Sequence, residues 1–193
     1  MKTRIWLILA FAAVTLAVAS VNSPAADTYQ VDAVHSSALF KVRHLGISNV
    51  TGGFTDIAGT ISADKKNPEK STVEITIQTA SVDTHNNMRD NDLRSPNFFD
   101  AQKYPAMSFK STKVKKLSAS KYEVTGNFTL HGVTKTIKVR VDFLGEGKGM
   151  KGETRAGFET AFTIKRSDYG MKSDIPIVGD DVQITLSVEA ARK

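Results

Sequence analysis

Along "STVEITIQTAS", residues 71–81, apolar and polar side chains alternate. Val73, Ile75 and Ile77 fall on one face and Glu74, Thr76 and Gln78 on the other. A period of two is that of a β-strand with one buried and one wetted face. The pattern recurs through Ser36, Ala38, Phe40, Val42 and His44, through Tyr122, Val124, Phe128 and Leu130, and through Ile137, Val139, Val141 and Phe143. It returns in Ala156, Phe158, Thr160, Phe162 and Ile164, and in Val182, Ile184, Leu186 and Val188. Further strands fit around "VTGGFTDIAGTIS" and "YPAMSFKSTKV", where glycines permit bulges and bends. The pattern predicts about eight strands of roughly ten residues, joined by polar turns such as "DKKNPEK" and "GEGKG". One-faced strands of this kind pair antiparallel. With no helices to cover its apolar face, such a sheet is left with two bare edges unless it closes into a barrel. At about eight strands, a barrel interior is either filled by side chains or holds one small ligand.

The alternation breaks at "HNNMRDNDLRSPNFFD", residues 85–100. A helical reading gives a short helix from Thr84 or His85 to Arg94, with Asp83 or Thr84 as N-cap and Ser95-Pro96 as the stop. Its thin apolar stripe cannot form a core, but it can lie across one barrel mouth, pinned by Phe98, Phe99 and Tyr104-Pro105. On the functional reading Met88, Leu93 and Phe98 close an apolar cavity while Arg89 or Arg94, with Asn91 beside them, faces a polar headgroup and Asp90 and Asp92 hold the arginines. Arginine suits that role because its planar fork donates two hydrogen bonds at once. On the other reading the charges form a solvated face and a clasp to the barrel.

Composition narrows the partners. The chain is 193 residues with 40% hydrophobic and 24% charged residues. Its formal charge is +6, of which Lys2 and Arg4 supply two, and the lysines are scattered without interleaved aromatics. That argues against nucleic acid, while leaving transient approach to an anionic membrane surface open. Lys2 and Arg4 precede an apolar run, Ile5 to Ala19, and then small residues, the pattern of a secretory signal peptide over 1–26 cleaved near Ala25 or Ala26. The run is short of the ~20 residues that span a bilayer. One domain, 27–193, then follows in the periplasm. With no cysteine it has neither disulfides nor a lipidated cysteine.

Chemistry-bearing clusters are sparse. His35 and His44 are nine residues apart and on an unbroken strand face opposite ways, so no shared metal is expected. His131 sits at a turn, and no G-x-S-x-G elbow or phosphate loop is present. In "KRSDYGMKSD", Arg166 and Asp168 share one side if the strand persists. They then form an ion pair or contact a headgroup directly.

The pieces "DAVHSSALFKVRH", "THNNMRDNDLRSPNFFDAQKYPAMSF", "GNFTLHGVTKTIKV" and "TIKRSDYGM", in this order, resemble the successive signatures of the YceI family of exported, lipocalin-like, polyisoprenoid-binding proteins. The resemblance spans about Asp27 to Ala190. It implies an extended, mainly β, antiparallel eight-stranded barrel with an apolar tunnel, and an isoprenoid or other long-chain amphiphilic lipid as ligand rather than a cofactor. The tail-binding candidates are Phe40, Val42, Ile75, Ile77, Met88, Leu93, Phe98, Phe109, Phe128, Val139, Phe158 and Phe162. The headgroup candidates are Arg89, Asn91, Arg94, Arg166 and Asp168, with no catalytic residue and no metal. Two functions follow from this: a periplasmic carrier or sequestering protein, or an enzyme or soluble partner of a membrane redox system acting on a prenylquinone-type lipid. Self-association is compatible with either.

Overall fold

A computed structural model describes residues 26–193 except Pro176. The proposed signal peptide and its cleavage site therefore fall almost wholly outside the described residues. Eleven strands occur in the order β1 (Asp27–Val31), β2 (Ser37–His44), β3 (Ser48–Phe54), β4 (Ile57–Ala63), β5 (Thr72–Gln78), β6 (Val82–Asp83), β7 (Ala106–Lys116), β8 (Lys121–Leu130), β9 (Val133–Lys148), β10 (Thr154–Lys165) and β11 (Val178–Arg192). The helix α1 (Asn87–Arg94) lies between β6 and β7. All pairings are antiparallel, and β1 pairs with both β4 and β11, which closes the sheet.

Eleven strands reduce to the eight staves expected because three staves are interrupted. β1 and β2 lie end to end along the same edge of β11, which pairs with β1 at Ala190–Arg192 and with β2 from Val178 to Ser187. A 3-10 turn at Ala33–His35, capped by Asp32, separates them. β3 and β4 form the next stave and β5 and β6 the third, since β3 pairs β2 and β6 while β4 pairs β1 and β5. The sequence pattern missed β1, because "DTYQV" is too short to show a period.

Beyond the pairing of Gln78 with Ala106, the third stave and β7 separate, and residues 84–105 fill the gap. The C-terminal end of this excursion is tied to buried Thr79, whose amide and hydroxyl donate to the carbonyls of Pro105 and Tyr104. The N-cap of α1 is Asn86, whose side chain accepts from the Arg89 amide, rather than Asp83 or Thr84. Asp83 is in β6, and Thr84 is engaged with Asp90 through its amide at 2.9 Å and its hydroxyl at 2.5 Å. Ser95 ends the helix as expected.

"GEGKG" is not a turn. Gly145 to Lys148 extend β9, and the chain reverses at 149–152, where the Gly152 amide donates to the Gly149 carbonyl. The resulting long β9–β10 hairpin carries Glu146 to the first strand, where the Tyr29 hydroxyl donates to it at 2.5 Å. Inward, Gly126 interrupts the apolar series of β8 because a Cβ there would stand 2.4 Å from Phe109 Cζ. Its absence lets that ring lie flat along the wall.

Candidate functional site: an apolar barrel cavity

The inward faces do not close on one another. They enclose a cavity of about 550 Å3, within the range of small-molecule sites. Phe40, Val42, Ile75, Ile77, Phe109, Phe128, Val139, Phe158 and Phe162 line it from the barrel wall, and Leu93 and Phe98 from the helical excursion. Two rings, Phe128 and Phe162, meet edge to face at 6.3 Å, and Phe143 lies 5.6 Å from Phe158. Rings fix the wall and leave the lumen open, while Ala38 and Thr160 take little space between them.

The two ends of the cavity differ. At the end formed by the β4–β5 and β7–β8 connections, Lys65, Ser71, Lys116, Tyr122 and Glu146 contribute polar atoms. There Glu146 accepts from Tyr29 and from Lys65 Nζ at 2.8 Å. Lys65 first, then Tyr29, hold the Glu146 carboxyl below its ordinary range, and burial together with Glu146 pushes the Tyr29 hydroxyl up. At the opposite end, beneath α1, Arg166 is the charged residue on the wall.

Met88 is a correction. It is 83% exposed and does not reach the cavity, because the face of α1 turned inward is the one that buries Asp90. Asp90 does not pair with an arginine but accepts twice from Thr84, which holds its carboxyl below the ordinary range. Arg89 and Arg94 are likewise turned to the backbone. Arg89 donates to the Thr84 hydroxyl and carbonyl at 2.7 and 2.8 Å. Arg94 donates to the carbonyls of Ala80 and Val82 at 2.8 and 2.7 Å and to Asn91 Oδ1 at 3.2 Å. Of these three headgroup candidates Arg94 clasps the helix to the barrel, Asn91 supports Arg94 and Arg89 ties the first turn to Thr84, while Asp92 accepts from Asn97.

Arg166 and Asp168 do not pair either, because β10 ends at Lys165 and the 3-10 turn Arg166–Tyr169 rotates them apart. Asp168 faces out to Lys135 at 3.3 Å. Arg166 is buried and donates from Nε to Gly179, from Nη1 to Met171, and from Nη2 to Ser173 and Val178, all backbone carbonyls at 2.7–3.0 Å. Four of its five N–H groups are thus used, and the remaining Nη1 hydrogen has no partner among the described residues. Its guanidinium lies 5.8 Å from the centroid of Phe98. Burial lowers its affinity for the proton, opposed by Asp180 and Asp174.

The histidines do not assemble. His35 bonds Asp32 at 2.9 Å on the surface, His85 lies beside Asp83, and His131 Nδ1 meets the Tyr169 carbonyl at 3.1 Å in the β8–β9 turn. Asp32, His35 and Glu189 come together, but Arg155 Nη1 already sits 2.6 Å from Asp32 and 2.5 Å from Glu189. Sequence reasoning missed Tyr29, Phe54, Phe99, Met107 and Met171 in the lining. Phe99 had a signal, since it follows Phe98 at the end of the polar break. Its ring packs edge to face on Phe54 at 5.4 Å.

Comparison with known proteins agrees with this architecture. The YceI-like domain profile matches residues 29–190. A UPF0312 protein of Pectobacterium atrosepticum is 39% identical over 188 residues, 96% of this chain and 97% of its own. The YCEI protein of Campylobacter jejuni, a solved structure, is 39% identical with a TM-score of 0.69, covering 78% of this chain and 90% of that one. BcnA of Burkholderia cenocepacia superposes with a TM-score of 0.75 at 26% identity, over 82% of this chain and 98% of its own. A polyisoprenoid binding domain of Saccharophagus degradans shares the fold at 19% identity, with a TM-score of 0.68, over 86% and 98%.

Proposed function

The chain belongs to the YceI-like domain family, and from that premise we propose that it is a periplasmic carrier or sequestering protein for one long-chain isoprenoid or similar amphiphilic lipid. The observation that carries this reading is the cavity itself: about 550 Å3, walled by phenylalanine and aliphatic side chains. Burying apolar surface at ~25 cal/mol per Å2 favours a long hydrocarbon tail there, offset largely by the ordering of that tail. The polyisoprenoid binding named for the Saccharophagus degradans domain is consistent with such a ligand.

The protein works in this reading by binding, not turnover. His35, His85 and Asp168 are on the outer surface, and in the hydroxyl–carboxylate pair that the described residues place on the cavity wall, Tyr29 with Glu146, burial and the carboxylate push the hydroxyl pKa up, the opposite of an activated nucleophile. The headgroup is assigned to the Arg166 end. A buried guanidinium compensated chiefly by carbonyl dipoles keeps an attractive field for a hydroxyl, carbonyl or phosphate oxygen.

The test is retention of a fluorescent prenol by the wild type and by Val139→Trp, which fills the lumen. Retention by the wild type and its loss in the folded variant are expected. Equal retention by both contradicts the reading. For the headgroup, Arg166→Met is expected to weaken a prenyl phosphate more than a headless hydrocarbon of equal length. Equal weakening assigns Arg166 to structure alone.

A further inference from the structure

Two neighbouring turns at the α1 end of the barrel expose aliphatic side chains that none of the described residues covers. The β2–β3 hairpin turns through His44, Leu45, Gly46 and Ile47, with the Ile47 amide donating to the His44 carbonyl at 3.1 Å. Beside it, the Val178 amide closes a turn onto the Asp174 carbonyl at 2.8 Å, and the Leu45 amide donates to the Ile177 carbonyl at 2.7 Å. Leu45 is 57%, Ile47 82%, Ile175 42% and Ile177 49% exposed.

The residue choice is against both solvation and local conformation. Leu45 and Gly46 both have positive φ, 51° and 72°, as in the two-residue hairpin turns that favour Asn-Gly or Asp-Gly. Leucine there is strained, and its side chain is held in water. A costly conformation presenting an apolar side chain points to a partner.

We infer that this paired tip is a docking surface for an anionic lipid bilayer. It rests on the binding reading above, since the bilayer is the phase that holds an apolar cargo. Three observations favour a membrane over another protein. The patch is on the order of a few hundred Å2, short of the ~800 Å2 each partner contributes to a stable protein interface. Lys41 and Arg43 precede the first turn on β2 and Lys172 precedes the second; all three are exposed and form no ion pair among the described residues. Asp174 is the one carboxylate within the two turns. Aliphatic tips flanked by cations match the hydrocarbon boundary and headgroups of an anionic leaflet. The third observation is continuity with the cavity. In the segment 171–178, Met171 and Val178 line the cavity while Ile175 and Ile177 face out, and Arg166 ties Met171, Ser173 and Val178 together by their carbonyls. The docking tip is therefore the outer side of the segment that walls the cavity end.

The experiment is sedimentation with vesicles of phosphatidylethanolamine and phosphatidylglycerol, and with neutral phosphatidylcholine vesicles. The protein is purified after export, with loss of the N-terminal apolar segment verified by intact mass. Wild type is expected to sediment with the anionic vesicles and less with the neutral ones. Ile47→Ser combined with Ile177→Ser is expected to lose about tenfold in partitioning. Leu45→Asn is expected to lose vesicle binding while melting at an equal or higher temperature, because asparagine suits the turn. Wild type that stays in the supernatant, or variants that sediment as well as wild type, overturn the inference. Variants that convert a dimer to a monomer by light scattering without changing sedimentation also overturn it, assigning the tip to a second copy. Prenol retention measured on the same proteins separates the two readings. Its failure in wild type with tip-dependent sedimentation intact removes the cargo reading, whereas intact retention with no tip dependence removes only the docking surface.

Discussion

Arg94 Nη2 donates to the carbonyl of Val82 at 2.7 Å, and its Nε to Ala80 at 2.8 Å, so the last turn of α1 is fastened to the stave it follows. Arg94→Ala is expected to lower stability by about 1–3 kcal/mol, the range for hydrogen bonds made by a charged donor. Prenol affinity should stay within about twofold, because the side chain does not reach the cavity. Met88→Ala, on an exposed side chain, should change neither quantity. Thermal melts and prenol titrations on both variants check this, and a selective loss of affinity in Arg94→Ala would return the headgroup to the helix.

The contrast between these residues and the barrel wall shows what the sequence made legible. Ile75, Ile77, Phe158 and Phe162 could be placed because a strand repeats its period over many residues, and closure leaves the apolar face one place to go. In α1, an eight-residue helix with few apolar positions, periodicity could not tell which face turns inward. The deciding contact is Asp90 with Thr84, a buried polar pair that hydrophobicity does not report. Arg166 and Asp168 were separated by a change from strand to 3-10 turn at Arg166. Tyr29 and Glu146 are 117 residues apart, and only closure of the barrel brings them together.

That Tyr29–Glu146 link carries a pH signature. Lys65 and Tyr29 lower the Glu146 pKa on folding, so its contribution is present above the ordinary carboxyl range and fades as pH falls through the folded value. Glu146→Gln should lower stability by about 1–2 kcal/mol at neutral pH. The gap between variant and wild-type melting temperatures should narrow below about pH 4. A gap that is constant with pH would mean that the charge of Glu146 is not what matters.

Gly126 is expected to tolerate no side chain. In Gly126→Ala the new Cβ would stand 2.4 Å from Phe109 Cζ and 2.6 Å from the Lys110 carbonyl oxygen. The backbone atom cannot swing away, so a loss of about 1–3 kcal/mol is expected from overpacking. The displaced Phe109 ring should also narrow the lumen and weaken long prenols. Denaturant unfolding and prenol titration together measure both effects.

The most direct test of the central claim is native mass spectrometry of the protein exported by its own host and purified without detergent. The expected result is one added mass per chain, which solvent extraction identifies as a single isoprenoid or other long-chain lipid and which is absent from folded Val139→Trp. A protein that carries no lipid, or an added mass that persists when the lumen is filled, would contradict the account.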